Sequence, residues 1–202
     1  MKIIHLAGAK GVGKSTVLEE LVKSNKFDSS RIEIIHTSKY LFKICKKYTD
    51  KAWSDFTEKE KVAMRSITMN SILRLDKEIV ILDSHCIDMK GAEPIVILSD
   101  EFKKHIDIFA VLEASPEVIH SRRAGDVNRT RDNNINNIEQ EVFYEKEYSL
   151  LFSIDNNVPF VIIENIDLQD TIANILNLTE NILTQINQEQ PYEHRIYNIK
   201  PF

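Results

Sequence analysis

The amino-acid sequence predicts an α/β fold in which helices cover both faces of a five-stranded parallel sheet. Five short apolar runs, each the length of a buried strand, recur along the 202 residues, and segments with helical apolar spacing separate them. Glycine and proline number five each, and no repeat or low-complexity tract interrupts the pattern. A hydrophobic content of 43% can form one substantial core. Such alternation is typical of a three-layer α/β/α arrangement.

The first strand and helix flank a glycine-rich loop. Residues 1–7 contain a short apolar run that is typical of a buried parallel strand, and residues 16–24 carry apolar side chains at helical spacing. Between them, residues 8–15 read GAKGVGKS, which fills the template G-x-x-x-x-G-K-[ST]. Because glycine has no Cβ, the backbone N–H groups of such a loop can turn inward around phosphate oxygens.

This loop is predicted to hold the phosphates of a nucleoside triphosphate together with Mg²⁺. Lys14 would reach the β- and γ-phosphates, and the Ser15 hydroxyl would hold the metal. The following helix points the positive end of its dipole at the same phosphates. A glycine-rich turn with an accidental lysine is the alternative, which the strand and helix on either side disfavour. The expected nucleotide contacts are Gly8, Gly11, Val12, Gly13, Lys14, Ser15 and Thr16.

The next elements continue the alternation. Residues 31–36 are predicted as the second strand, and Thr37 as the cap of a helix. Another helix is expected from Thr57, where Glu60 completes a capping box. Residues 79–83, IVILD, are predicted as the third strand.

The second half predicts two more strands. Residues 95–105 fit either a strand or a short helix, whereas residues 107–113 form a clearer fourth strand. The helix after it starts with Ser115 as its N-cap and ends near Gly125. An asparagine-rich loop follows, and then a helix whose apolar side chains are Ile135, Ile138, Val142 and Phe152. The fifth strand is residues 160–164, and the last helix carries Leu168, Ile172, Ile175, Ile182 and Ile186.

Two side chains at and just after the end of the third strand are candidates for a role in binding or catalysis. Asp83 ends it, at a position where a carboxylate commonly orients Mg²⁺ or its waters; capping of the next turn is the alternative. His85 is expected to hydrogen-bond near the acceptor phosphate. A metal site at His85 and Cys86 is disfavoured because no further ligands lie at suitable spacing.

Four arginines lie within ten residues beyond the fourth strand: Arg122, Arg123, Arg129 and Arg131. Guanidinium groups suit phosphate oxygens, and a polar loop can bring them to a bound nucleotide. A solvated basic face is the alternative. Because Arg122 and Arg123 are adjacent in a helix, only one of them is expected to face the site.

Composition excludes several classes of partner. The net charge of −5 argues against an extended nucleic-acid surface. No run approaches the length of a membrane span. Cys45 and Cys86 do not have the spacing of metal ligands and give no reason to expect a disulfide, so a cytoplasmic protein is expected. Residues 25–28 match the guanine motif N-K-x-D but lie too early in the chain, which favours ATP over GTP.

With these motifs the chain resembles the P-loop nucleoside monophosphate kinases, specifically archaeal-type adenylate kinases and the small nuclear adenylate kinases that also act in ribosome assembly. The resemblance covers residues 1–186. It rests on the loop 8–15, on the D-x-H motif at 83–85, and on residues 122–132, which fit R-R-x-x-D-x-x-R-x-R-D. Lys10 stands where the family often has proline, and residues 37–53 match loosely.

The resemblance implies a P-loop NTPase fold with a short mobile lid and a kinase domain over residues 1–187 with its lid at 125–134. Residues 188–202, which contain Pro191 and Pro201, have no recognised counterpart in the family and are predicted as an extended tail that packs on the body or on a neighbour. It implies transfer of the γ-phosphoryl group of Mg·ATP to AMP. Catalytic roles would fall to Lys14, Asp83, Arg122, Arg129 and Arg131, metal binding to Ser15 and Asp83, and acceptor binding to Thr37, Ser38, Arg65 and His85. The alternatives are a nucleotide-driven switch or assembly factor, with the tail as its docking segment, and a kinase for another small acceptor. A homo-oligomer is compatible with the sequence.

Overall fold

Strands and helices alternate along the chain in a computed structural model, which describes residues 1–91, 93–126 and 131–188 and the backbone of 197–198. The strands are β1 (Lys2–Ala7), β2 (Ile32–His36), β3 (Ile79–Asp83), β4 (Ile87–Lys90), β5 (Glu93–Val96), β6 (Ile108–Glu113), β7 (Phe160–Glu164) and β8 (Tyr197–Asn198). The helices are α1 (Lys14–Lys23), α2 (Thr37–Cys45), α3 (Glu58–Ile72), α4 (Asp100–Lys103), α5 (Pro116–Ala124), α6 (Ile135–Asn156) and α7 (Leu168–Gln188), with a 3₁₀ turn at Trp53–Asp55.

A parallel sheet in the order β2-β3-β1-β6-β7-β8 forms the centre of the molecule. The five strands expected from the sequence are confirmed. A two-residue strand, β8, adds to them beside Val161 and Ile162 of β7. Because the strands are parallel, their carboxyl ends meet at one edge, where Leu6 of β1 lies opposite Asp83 of β3.

Each face of the sheet carries its own apolar core. On one face, Ile4 and Leu6 of β1 pack with α1 and with the apolar stripe of α7. On the other face, Ile3 and Ala7 of the same strand pack with α3 and with Phe152 of α6. This alternation follows from the period of two along a strand and makes the sheet a rigid support for the loops at its edge.

The caps of two helices agree with the sequence signals. The Thr57 hydroxyl accepts a hydrogen bond from the Glu60 N–H at 3.3 Å, and Glu60 Oε2 accepts one from the Thr57 N–H at 2.7 Å. This capping box starts α3. Ser115 caps α5, which ends immediately before Gly125. Both predicted helix starts are confirmed.

The start of α2 differs from its prediction. Thr37 is the first residue of the helix and His36 is its N-cap, so the assignment of Thr37 as the cap is wrong. The physical reason is that His36 already ends β2 with extended backbone and points its ring at Asp83, so the chain turns into the helix immediately after it.

The ambiguous segment after β3 contains both kinds of structure. β4 and β5 form an antiparallel hairpin, with Ile87 opposite Val96 and Met89 opposite Pro94, and α4 follows. The two strands form a separate sheet, so β5 is an edge strand. Such a position tolerates a proline, which cannot donate a ladder hydrogen bond.

The buried face of α6 also differs from its prediction. Ile135 and Val142 are only partly buried. The buried positions are instead Ile138, Glu141, Glu145, Ser149, Phe152 and Ser153. This face meets backbone N–H groups of two loops as well as the apolar core, and buried N–H groups require acceptors.

None of the described helices combines the length and the apolar character that a membrane span requires.

Candidate functional site

The loop of residues 8–15, called the phosphate loop below, connects β1 to α1 in a conformation that requires glycine. Gly8 and Gly13 have φ values of 144° and 104°. A Cβ at Gly8 would lie 2.6 Å from the Leu112 carbonyl oxygen, and one at Gly13 would lie 2.7 Å from Asn165 Nδ2. The packing behind the loop therefore selects glycine even without a bound phosphate.

Lys14 is the first residue of α1, and its side chain is only 6% exposed. Its Nζ donates to the Gly8 carbonyl oxygen at 2.5 Å and lies 3.4 Å from Nδ1 of His85. Burial lowers the pKa of Lys14, and the negative charge of Glu145 opposes that shift. The ammonium group is thus held inside the curve of the loop.

Glu145 of α6 is a buried carboxylate directly behind this lysine, with 1% exposure. Its Oε1 accepts hydrogen bonds from the N–H groups of Gly8 at 3.3 Å and Cys86 at 2.8 Å, and its Oε2 accepts one from Ile87 at 3.1 Å. Burial favours a higher pKa, but the nearby His85, 3.7 Å away, holds the pKa of Glu145 below its ordinary value. Glu145 therefore stays ionised.

Asp83 and His36 end two neighbouring strands in register. Asp83 Oδ2 lies 2.6 Å from Nδ1 of His36. Asp83 and Ser15 line the same cavity, and carboxylate and hydroxyl oxygens are the donors that Mg²⁺ prefers. Within the described ranges no group of three or more His, Cys, Asp or Glu side chains could hold a metal. A magnesium ion here would thus also need phosphate oxygens and waters.

Arg122 of α5 lies against the cavity side of the loop. Its guanidinium donates to the Val12 carbonyl oxygen at 2.5 Å and to the Asn165 carbonyl oxygen at 3.3 Å. Asn165 Nδ2 donates to the same Val12 oxygen at 2.6 Å. Arg122 lines the cavity and is placed to contact a ligand there.

Arg123, its neighbour, lies behind the loop and is buried. It donates to the Lys10 carbonyl oxygen at 2.6 Å and 2.9 Å, to Glu141 at 2.7 Å and to the Asp132 carbonyl oxygen at 2.7 Å. Glu141 in turn accepts the Lys10 N–H at 2.6 Å. One of the two adjacent arginines therefore faces the cavity, and the other braces the loop.

The remaining lid arginines divide between described and undescribed residues. Arg131 lines the cavity, and its guanidinium lies 3.6 Å from the carboxylate of Asp126. Arg129 lies outside the described residues, as do its neighbours at 127, 128 and 130. The mobile lid at 125–134 and the role of Arg129 therefore stay predictions.

These groups surround one cavity of about 1130 Å³ at the carboxyl edge of the sheet. The phosphate loop and the start of α1 line it, together with Asp83 and His85 at and after the end of β3 and with Arg122 of α5. Its remaining lining residues include His36, Ser38, Lys39, Ser84, Asp126, Arg131, Asn165, Ile166 and Leu168.

The expected acceptor residues are only partly brought together. Ser38 and His85 line the cavity. Thr37 is buried beside it, and its hydroxyl has no hydrogen-bond partner among the described residues. Arg65 is not among the lining residues and lies over the Trp53 ring, 5.6 Å from its centroid. The expectation that Arg65 binds the acceptor stays a prediction.

Sequence reasoning missed several groups that shape the site, namely His36, Asn165, Glu141 and Glu145. A signal for the two glutamates exists, because they recur four residues apart in line with Ile138 and Phe152. Carboxylates on the apolar stripe of a helix indicate acceptors for buried donors. No comparable periodic signal marks Asn165.

Comparison with known proteins identifies a family for most of the chain. A family model described as AAA domain matches residues 7–140, which begins at the last residue of β1 and includes the phosphate loop and Asp83. No curated protein sequence matches the chain.

Solved structures of similar fold are 11–14% identical to the chain. A shikimate kinase from Bacteroides thetaiotaomicron has 14% identity and a TM-score of 0.53, over 89% of this chain and 98% of that one. TT1252 from Thermus thermophilus has 11% identity and a TM-score of 0.52, over 90% and 97%. A gluconokinase from Sinorhizobium meliloti has 13% identity and a TM-score of 0.46, over 91% and 97%. The chain belongs to the AAA domain family, and its parallel sheet with flanking helices is the P-loop kinase fold.

Proposed function

We propose that the protein is an ATP-dependent phosphotransferase that transfers the γ-phosphoryl group to a nucleoside monophosphate, with AMP as the first acceptor to test. The observation that carries the proposal is that Lys14, Ser15, Asp83 and Arg122 all line one cavity. Donors for phosphate, oxygen ligands for a metal and a guanidinium group are the components that phosphoryl transfer requires.

The chemistry needs alignment and charge neutralisation more than proton transfer. An acceptor phosphate is largely ionised at neutral pH because its second pKa is about 6. The amides of the phosphate loop and Lys14 would hold the donor phosphates, and Arg122 and Arg131 would neutralise charge on the transferring group. Ser15 and Asp83 would hold Mg²⁺, which supplies further neutralisation. Closure of the predicted lid would exclude water and prevent hydrolysis.

One end of the cavity supports a nucleotide as the donor. Ile166, 81% exposed, and Leu168 line it together with Arg122. Apolar side chains beside a guanidinium group suit a planar base, because the base can pack on the former and stack on the latter. Leu168 begins α7, which packs against α1, so a base there would lie near the helix that follows the phosphate loop.

A second candidate is a kinase for a small hydroxyl compound. The His36–Asp83 pair favours it, because a hydroxyl acceptor must lose a proton and a carboxylate on this wall could take it. A phosphate acceptor needs no such base. The similar fold of a shikimate kinase is compatible with this candidate.

The test is an acceptor panel with purified protein and Mg·ATP. AMP, GMP, CMP, UMP and shikimate are supplied singly, and ADP and phosphorylated acceptor are quantified against a reaction with ATP alone. AMP-dependent formation of two ADP is the expected result. A phosphorylated hydroxyl compound would instead support the second candidate. Phosphate release that no acceptor changes would overturn both and support a nucleotide-driven switch.

A further inference from the structure

Glu145 joins two segments of the site that are distant in sequence. Its carboxylate accepts hydrogen bonds from Gly8 in the phosphate loop and from Cys86 and Ile87 in the turn after β3. That turn also carries His85, whose Nδ1 lies 3.4 Å from Lys14 Nζ. A single side chain of α6 therefore contacts both the segment that would bind the donor phosphates and the segment that carries His85.

The Glu145 carboxylate is buried, so its charge depends on the hydrogen bonds that it accepts. A carboxylate with 1% exposure is strongly destabilised unless donors and opposite charges surround it. Here the donors are backbone N–H groups of both segments, so movement of either segment removes at least one of the three hydrogen bonds to the carboxylate. Ser149 and Cys86, with Oγ and Sγ 3.1 Å apart, extend the polar layer behind it.

We infer that Glu145 is a positioning residue that couples the phosphate loop to the turn carrying His85, so that a nucleotide held by Lys14 is kept in register with the acceptor side. This inference rests on the proposed phosphoryl transfer. Glu145 does not line the cavity and acts through the two segments it holds.

Variants of two other glutamates of α6 can distinguish the coupling of the two segments from support of the phosphate loop alone. Glu141 accepts the Lys10 N–H and pairs with Arg123, so it braces the phosphate loop without contacting the turn after β3. Glu139 lies on the exposed side of the helix. Glu139→Gln is therefore the matched control for a change of charge on α6, and Glu141→Gln the control for loss of support to the loop alone.

The experiment combines steady-state kinetics with amide hydrogen exchange in the full chain. In Glu145→Gln the amide NH₂ cannot accept a hydrogen bond, so a bond from the turn is lost in either orientation of the amide: that of Ile87, or that of Cys86 together with that of Gly8. We expect kcat to fall at least about tenfold with less than about a threefold change in the KM for ATP, because small misplacements of reacting groups lower the rate more than they lower ground-state binding. Glu139→Gln should keep both values.

The exchange measurement does not depend on turnover. Binding of the non-hydrolysable analogue adenosine 5′-(β,γ-imido)triphosphate with Mg²⁺ should slow exchange at Gly8 and also at Cys86 and Ile87 in the wild type. In Glu145→Gln the analogue should protect the loop but not the turn. Glu141→Gln should weaken protection of the loop while the turn still responds.

Wild-type kcat in Glu145→Gln, or protection of the turn that persists in it, would overturn the inference. So would a wild-type protein that binds the analogue without any protection at Cys86 and Ile87, which decides the matter even if the variant does not fold. Glu145→Asp, which keeps the charge but has a shorter reach, should show the same loss of coupling. Analogue binding and coupling without acceptor-dependent transfer would instead reject the proposed function alone.

Discussion

Lys14 and Glu145 are buried groups of opposite charge, and each favours the ionised form of the other. Burial lowers the pKa of Lys14, whereas Glu145, Asp83 and Glu141 oppose the shift. His85, and after it Lys14, keeps the pKa of Glu145 below its ordinary value against the effect of burial. Removal of either charge would leave the other inadequately compensated in a region of low dielectric constant.

At this scale, the clearest prediction concerns Lys14. Lys14→Ala removes the ammonium group expected to contact the β- and γ-phosphates, and we expect phosphoryl transfer to fall by at least roughly a hundredfold, as for removal of one electrostatic contact to a transition state. Because the buried carboxylate then loses a partner, a lower melting temperature is also expected. Lys26→Ala, which changes an exposed lysine, is the control. Near-normal turnover in Lys14→Ala would contradict the assignment.

A second residue-scale prediction concerns pH and His5. Its ring is fully buried against Phe109, with centroids 5.5 Å apart, and burial lowers the pKa of His5 to about 4. In the unfolded chain this histidine has a pKa of about 6.5, so it binds a proton at a pH at which the folded protein leaves it neutral. The free energy of unfolding therefore falls as the pH drops from about 6.5 toward 4. Between pH 7 and 5 the loss from this group is about 2 kcal/mol.

Urea unfolding at pH 7 and pH 5 checks this value. His5→Leu should reduce the pH dependence of the free energy of unfolding by that amount, while exposed or partly exposed histidines contribute equally to both proteins. An unchanged difference between the two pH values in His5→Leu would mean that His5 is not the group responsible.

At the scale of elements, the phosphate loop depends on packing from three directions. β1 leads into it, α5 contacts it through Arg122 and Arg123, and α6 contacts it through Glu141 and Glu145. The loop is thereby held in its curved form before any ligand binds. Such preorganisation reduces the conformational entropy that binding must remove.

Alanine substitutions at two glycines test whether packing holds the phosphate loop in its curved form. Gly13→Ala would place a Cβ 2.7 Å from Asn165 Nδ2 at a φ of 104°, so we expect it to destabilise the fold by about 1–3 kcal/mol and to weaken ATP binding. Gly125→Ala meets nothing closer than 3.7 Å and has a φ of −84°, so it should stabilise by about 0.4–1 kcal/mol. Calorimetric melting and ATP titration of both variants would measure the difference. Equal stability of the two would show that the loop is not packed as described.

At the scale of the whole molecule, ligand binding should stabilise the fold. If the cavity binds Mg·ATP, then ATP at a hundred times its dissociation constant should stabilise the native state by about 2.7 kcal/mol. For a chain of this length that corresponds to a rise in melting temperature of roughly 5–10 °C. The shift should shrink when EDTA removes Mg²⁺ and disappear in Lys14→Ala. An identical shift in Lys14→Ala would place the nucleotide elsewhere.

The side of the site that would hold ATP could be predicted from the sequence better than the acceptor side. The phosphate loop and Asp83 follow from local spacing, because a template and a strand end each imply where a side chain points. Arg65 was expected at the acceptor side, and its guanidinium lies 5.6 Å from the centroid of the Trp53 ring. Its position depends on how α3 packs beside the 3₁₀ turn at Trp53–Asp55, which no local pattern encodes. For the same reason the His36–Asp83 pair was missed, since it requires β2 and β3 to be neighbours.

By itself, then, the amino-acid order determined the alternation of strands and helices, the phosphate loop and the capping of α3 and α5, because these depend on contacts within a few residues. The tertiary structure alone decided that Glu145 would join the loop to the turn after β3, that Arg122 and not Arg123 would face the cavity, and that Asp83 would meet His36. The reason is that these contacts span from 47 to 137 residues, and only the packing of helices on the sheet brings their partners within hydrogen-bonding distance.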